Sequence, residues 1–314
     1  MTNYYIVGGK AYADIDVLAC AVAYEELLRK MGKQAFAAPA KTWNQTIPAS
    51  IRKWPIETHS VFDAKQTDRF ILVDISDPDH LDDNVFPECI SEVFDHHYGH
   101  EQVWQEIIPE HTHIEKVGAC ATLIWEQFKK EGKEEHISEL SANLLYTAIF
   151  ANTLDFKAKV TDRRDREAAK QIYPYTNLPA DWKALYYNEI EGSLLKDPIE
   201  GIMTDTKLLH LFDQPVAFGQ IEVFNASSLI EKKIFEKLIE DPRLGGRSVI
   251  LNVASIQEGK SYLFCNSEFL QEHLAYVTGG GGFYENLMIT SEIWLRKEFL
   301  RDLKNAAKKS LARR

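Results

Sequence analysis

Through its first half the chain alternates short apolar runs with stretches of helical periodicity, the pattern of a parallel sheet covered by helices on both faces. Tyr4 to Val7 reads as a strand and Val17 to Met31 as a helix that Gly32 stops. Ala35 to Ala38 and Val61 to Phe62 are weaker strands, Phe70 to Val73 is a strong one, and Glu92 to Phe94 is another. Val117, Ala121, Ile124, Trp125 and Phe128 share one helical face, and Gly132 closes that helix. A helix from Ser138 to Ala151 is apolar enough to lie deep in the core, and Thr161 to Glu167 reads as a charged helix start. Near Tyr187 to Pro198 the pattern changes, and Gly192, Asp197-Pro198 and Gly201 read as a linker. Beyond it, Lys207 to Phe212 and Val216 to Val223 predict neighbouring strands, with Ser228 and Glu231 at capping-box spacing. Val249 to Ala254 and Tyr262 to Cys265 predict two more strands, and a last helix starts near Lys297. The expectation is an α/β domain over residues 1–190 and a smaller α+β domain over 197–314.

Composition narrows the partners rather than the fold. With 314 residues, 45% of them hydrophobic, the chain can bury a sizeable core in about two domains. A formal charge of −11 without a basic tail argues against long nucleic acids as partners. Cys20, Cys89, Cys120 and Cys265 form no CxxC pair and read as buried thiols in a reducing compartment. No signal-peptide pattern precedes Tyr4, and no apolar run approaches the ~18 residues that span a bilayer, so a soluble cytoplasmic protein is expected.

The candidate chemistry sits where the apolar runs end. Val93-Phe94-Asp95-His96-His97 closes one run with an acid and two imidazoles, and ligands of α/β proteins bind at the carboxyl ends of strands. Asp74 closes another run, and Asp14 and Asp16 stand two apart at the entrance to the first helix. Each piece has a plainer reading: Asp14 as a helix cap, Asp74 as a turn cap, His96-His97 as a structural pair. Three strand ends carrying acids together favour a shared metal or phosphate site. Hard divalent ions take several oxygen ligands, Mn²⁺ also accepts imidazole, and two-metal sites suit phosphate ester and anhydride hydrolysis.

In order, these residues resemble the DHH phosphoesterase family. Within it they resemble the manganese-dependent (family II) inorganic pyrophosphatases and their exopolyphosphatase and prune-like relatives. The motifs are Lys10, Asp14 and Asp16; Asp74 in Val73-Asp74-Ile75-Ser76; Asp95-His96-His97; Gly118-Ala119-Cys120-Ala121-Thr122; and Ala151-Asn152-Thr153-Leu154-Asp155-Phe156-Lys157. Gly219-Gln220-Ile221-Glu222 is similar to a strand of the relatives' C-terminal domain. The resemblance implies that Asp14, Asp16, Asp74, His96 and Asn152 hold metal, with Asp74 the bridge. It implies that His97, Lys207, Arg296 and Lys297 grip phosphates, in a cleft between the domains that closes by a hinge. Arginine forks phosphate and lysine meets it as a point charge.

The implied reaction is hydrolysis of a phosphoanhydride, pyrophosphate or short polyphosphate, by a metal-activated water, with His97 and Asp74 catalytic. The implied cofactor is Mn²⁺, one or two ions, with Mg²⁺ or Co²⁺ as substitutes. Two positions depart from the pattern. Lys10 stands where the family II pyrophosphatases have histidine, and an ammonium has no lone pair, so it would replace metal charge or contact a phosphate. Asn152 replaces an aspartate, and its amide oxygen ligates with one negative charge less. Asp155 compensates if its turn brings it inward.

Smaller signals leave alternatives open. His111 and His113 would share a strand face, which raises a zinc site against the commoner reading of surface histidines. The Gly279 to Gly282 run lacks the Lys-Ser/Thr of a nucleotide loop, and Phe283 follows it where the oligonucleotide-handling DHH branch has histidine. Beside the anhydride hydrolase stand two other readings: a phosphodiesterase acting on small nucleotides, and a catalytically weakened phosphate- or nucleotide-binding protein. The expected partner is a small phosphorylated substrate, with no membrane, and an edge strand of the first domain allows a homodimer.

Overall fold

The computed structural model describes residues 2–61, 64–65, 67–231, 233–279 and 281–311. They pack as two units, residues up to 156 with 160–183, and 157–159 with those from 184 onward.

The first unit carries β1 (Asn3–Val7), α1 (Ile15–Lys30), β2 (Gln34–Ala37), β3 (Arg69–Val73) and β4 (Ile90–Asp95). After them come α2 (Glu101–Ile107), β5 (Thr112–Ile114), α3 (Cys120–Lys130), α4 (Glu139–Asn152) and α5 (Arg163–Ile172). All strand pairs are parallel and the order is β2-β1-β3-β4-β5. Side chains alternate across the sheet as the period-two geometry of a strand requires. Tyr5, Val7, Phe70, Leu72 and Val93 face Leu81, Val85 and Trp104, so α2 and the connection before β4 cover that side. On the other side α1 packs on β1 and β3, and α3 on β4. Phe94 meets Tyr24 of α1 edge-on at 5.0 Å. Gly8 lets the loop after β1 press against α1, because a Cβ there would lie 2.3 Å from Val17 Cγ1. As expected from its apolar inner side, α4 is deeply buried, and Ser138 caps it by accepting the Ser141 N–H at 3.2 Å.

The proposed linker is helical. Helix α6 (Trp182–Leu194) contains Gly192, and α7 (Pro198–Thr204) begins at the proline of the expected linker. Asp197 caps α7 by accepting the Glu200 N–H at 3.1 Å, and proline is well placed at the first helical position because no N–H is needed there.

The second unit continues with β6 (Lys207–Leu211), β7 (Gln214–Val223), α8 (Ser227–Glu231), α9 (Ile234–Ile239) and β8 (Ser248–Ser255). It ends with β9 (Lys260–Cys265), α10 (Glu268–Thr278), β10 (Leu287–Ile289) and α11 (Arg296–Leu311). Its sheet runs β10-β9-β8-β7-β6, parallel only between β7 and β8. The β6–β7 hairpin turns on Phe212 and Asp213, both with positive φ, the backbone that suits the right-handed twist of strands. Val249, Leu251 and Val253 point into one apolar cluster and Ile250 into another, so β8 is covered on both faces and its sequence is almost continuously apolar. Ser228 lies inside α8. Val61 lies in a 3₁₀ turn instead of the weak strand expected there, and Phe62 is outside the described residues. No helix among the described residues is long and apolar enough to cross a membrane.

Candidate metal centre

Strands β3 and β4 lie side by side with Val73 opposite Phe94, so both runs end at the same rim. Asp74 leaves β3 with φ 58°, left-handed backbone that a residue with a side chain seldom adopts, although aspartate tolerates it better than most. Its N–H donates to Phe94 O at 2.8 Å, which fixes the turn against β4. Asp74 Oδ1 is buried, 3.2 Å from His96 Nε2 and 3.7 Å from His97 Nδ1, yet accepts no hydrogen bond. Among the described residues, Asp74, His96 and His97 are the one group of three whose ligand atoms lie within 4.8 Å of one another.

The acid of the triplet organises the two imidazoles. Asp95 is fully buried, and its Oδ1 accepts the N–H of His96 at 2.8 Å, the N–H of His97 at 3.1 Å and a bond from His97 Nδ1 at 2.8 Å. His96 Nδ1 lies 3.1 Å from Val117 O. A carbonyl only accepts, so Nδ1 carries the proton and Nε2 turns a lone pair toward Asp74, the tautomer a metal needs.

Asp14 and Asp16 divide their work. Asp14 Oδ1 accepts the N–H groups of Asp16 at 3.1 Å and Val17 at 2.9 Å, so the carboxylate caps α1. Asp16 is wholly buried and accepts Cys120 N–H at 2.8 Å and Ala121 N–H at 2.9 Å from the first turn of α3.

The electrostatics record crowded negative charge. Burial, followed by the charges of Asp16 and Asp14, pushes Asp74 well above the usual carboxylate range. Asp16 is pushed up to about 6 by burial and by Asp14, against the pull of His96 and two backbone N–H groups. Asp95 goes the other way: burial alone would raise it, but the hydrogen bond and charge of His97 outweigh that. His97 rises in turn, chiefly through its bond to Asp95. A buried pocket with two carboxylates held above their ordinary range is short of positive charge, the condition a divalent cation relieves.

The other predicted residues lie as follows. Lys10 is exposed on the loop after β1, where its backbone N–H donates to His80 O at 2.9 Å. Asn152 ends α4 with Nδ2 donating to Ala148 O at 3.1 Å. Asp155 pairs with Lys183 at 2.5 Å. In the second unit Lys207 opens β6 and is exposed, as is Lys297. Arg296 is buried at the start of α11, with Nη2 2.8 Å from Asp205 Oδ1 and Nη1 donating to Phe218 O at 3.2 Å. His111 and His113 do not share a strand. Only His113 lies in β5, where it stacks on Phe94 at 4.8 Å and burial lowers its pKa. Sequence reasoning missed the roles of Asp95 and of the Val117 carbonyl. The first had a signal in the adjacency of the triplet, and the second had none.

The family model described as DHH family, N-terminal domain, matches residues 4–149. A protein of Exiguobacterium sp. named a probable manganese-dependent inorganic pyrophosphatase is 26% identical over 73% of this chain and 74% of its own length. The manganese-dependent inorganic pyrophosphatase of Methanothrix thermoacetophila is 24% identical over 98% of this chain and 99% of its own. The crystal structure of a Methanococcus jannaschii protein assigned to the family II inorganic pyrophosphatases superposes with a TM-score of 0.63 at 20% identity, covering 96% of this chain and 99% of that one.

Proposed function

Since the chain belongs, through residues 4–149, to the DHH family, we propose that it is a metal-dependent phosphohydrolase that cleaves a phosphoanhydride, pyrophosphate or a short polyphosphate. The carrying observation is Asp74 Oδ1: buried, without a hydrogen bond, on a left-handed residue, and faced by two imidazole nitrogens. A buried carboxylate oxygen left bare is costly unless a cation occupies the space beside it. Two relatives with manganese in their names support Mn²⁺ as that cation, and mixed carboxylate and imidazole donors suit it, with Mg²⁺ or Co²⁺ as substitutes.

In this reading Asp14, Asp16, Asp74, His96 and Asn152 hold the ion or ions. Bound Mn²⁺ supplies Lewis acidity toward water and phosphoryl oxygens. His97 binds phosphate and holds a proton at Nε2 for the departing oxygen, because its Nδ1 is engaged by Asp95 and its pKa is raised. Lys10, Lys207, Arg296 and Lys297 take the charge of the phosphate oxygens. Water forms the new P–O bond, the bridging P–O bond breaks, and two phosphates leave when the substrate is pyrophosphate. Residues 197–314 serve as the substrate-binding domain.

The test is phosphate release from pyrophosphate and tripolyphosphate by the chelator-treated, Mn²⁺-reloaded protein, beside Asp74→Asn. Asp74→Asn should lower the rate by a factor on the order of 10³, as losing about 4 kcal/mol of transition-state stabilisation would. Release untouched by that substitution overturns the proposal. Nucleoside monophosphate release from dinucleotides, with pyrophosphate left intact, would assign the site to diesters instead.

A further inference from the structure

We infer that Asp165 is a positioning residue for the metal centre, gripping from behind the turn that holds His96 and Asp16. The role rests on those two residues being metal ligands, as proposed. Residues 117–122 serve both sides. Toward the centre, Val117 O receives His96 Nδ1 at 3.1 Å, and the N–H groups of Cys120 and Ala121 fix the two oxygens of Asp16 at 2.8 and 2.9 Å. Helix α3 has no side-chain cap of its own, since Ala119 stands at the cap position, so its free N–H groups are committed to Asp16.

Away from the centre, Asp165 holds the same turn. It is fully buried, and Oδ2 accepts Gly118 N–H at 2.8 Å while Oδ1 accepts Thr122 Oγ1–H at 2.6 Å. Gly118 has no room for a side chain: a Cβ would lie 2.7 Å from Asp165 Oδ2 and 2.5 Å from Thr153 Cγ2. Removing the carboxylate would strand a buried N–H and a buried hydroxyl. The turn would then relax, and the carbonyl and two N–H groups aimed at His96 and Asp16 would lose their register. Outer partners of metal ligands commonly act in this way.

A plainer role competes. Asp165 also accepts Asp162 N–H at 2.7 Å, which makes it half of the capping box that starts α5. Mn²⁺ affinity separates the two, measured on the full-length chain by the electron paramagnetic resonance signal of free Mn²⁺. Asp165→Ala should weaken binding by roughly 10–100-fold. Asp165→Asn keeps an oxygen for the Gly118 and Asp162 N–H groups and should recover most of it. Asp162→Ala, which removes only the cap, should lower Tm and leave the affinity alone. Where Asp165→Ala does not fold, Thr122→Val, isosteric but without the donor, should show a several-fold loss. Folded Asp165→Ala or Thr122→Val with wild-type affinity overturns the role, as does an equal loss in Asp162→Ala. Wild-type protein that takes no Mn²⁺ overturns the metal reading and this role with it. Wild-type binding with unchanged variants overturns this role alone.

Discussion

The rim of the first sheet and the start of α11 both gather charged side chains at the ends of regular elements, and they satisfy them in opposite ways. At the rim, Asp16 meets neutral N–H groups and Asp74 Oδ1 accepts no hydrogen bond, and burial together with the neighbouring carboxylates pushes both above their ordinary range. At α11, Arg296 is met in full, by a carboxylate from Asp205 and a carbonyl from Phe218. A site that takes an ion from outside, as we propose for the rim, leaves its own charges incompletely matched. A charge with an internal partner is first a structural element, and a phosphate reaching Arg296 must compete with Asp205. The contrast can be tested by removing one charge from each region.

Arg296→Ala carries the larger expected effect. It deprives a buried carbonyl of its donor and Asp205 of its partner, and should lower unfolding stability by about 1–3 kcal/mol. Arg296→Lys should restore little of that, because an ammonium cannot fork between the carboxylate and the carbonyl. Urea denaturation of the metal-free protein measures both. Unchanged stability in Arg296→Ala would mean that the pair is incidental and the arginine as available as the rim.

Asp74→Asn should act in the other direction. In metal-free protein it removes a carboxylate whose charged form is disfavoured by burial and by Asp16 and Asp14, at a left-handed position asparagine tolerates. A gain of about 1 kcal/mol is expected, the low end of the cost of a buried polar group left without a partner. With saturating Mn²⁺ the order should reverse, since only the wild type gains binding free energy. Thermal melts with and without Mn²⁺ read this out, and destabilisation of the metal-free variant would break the contrast.

The same contrast explains how much could be read from the sequence. The parallel sheet was legible because β3 and β4 are apolar runs that end in acids and β1 is one whose following loop leads to Asp14 and Asp16, and adjacent parallel strands bring such ends to one rim. The meeting of Asp74 with His96 and His97 follows from that topology. The helical path through 182–204 was not legible, because Asp197-Pro198 is equally a break and a helix start until the Glu200 N–H is seen on Asp197. Nor was the pairing of Arg296 with Asp205, 91 residues apart in the chain, or the hold of Val117 O on His96. Those depend on tertiary contacts between polar atoms, which leave no periodicity behind.

The smallest effect tests whether backbone N–H groups alone can make a buried carboxylate comfortable. Glu191 in the second unit resembles Asp16 in this respect: it is buried, and Oε2 accepts the N–H groups of Phe224 at 3.1 Å and Asn225 at 3.2 Å. Burial still raises its pKa above the ordinary value of 4.5, with the two N–H groups opposing. The folded state therefore binds this proton more tightly than the unfolded chain. Its contribution to stability is full below pH 4.5 and is lost as pH rises through the folded value. Glu191→Gln keeps an acceptor for both N–H groups without the charge, so it should match the wild type at low pH and exceed it at pH 7 by less than about 1 kcal/mol. Urea midpoints at several pH values measure the difference. A wild type more stable than Glu191→Gln at pH 7 would mean that the N–H pair stabilises the ionised form outright, and that the crowding at the rim comes from neighbouring carboxylates rather than from burial.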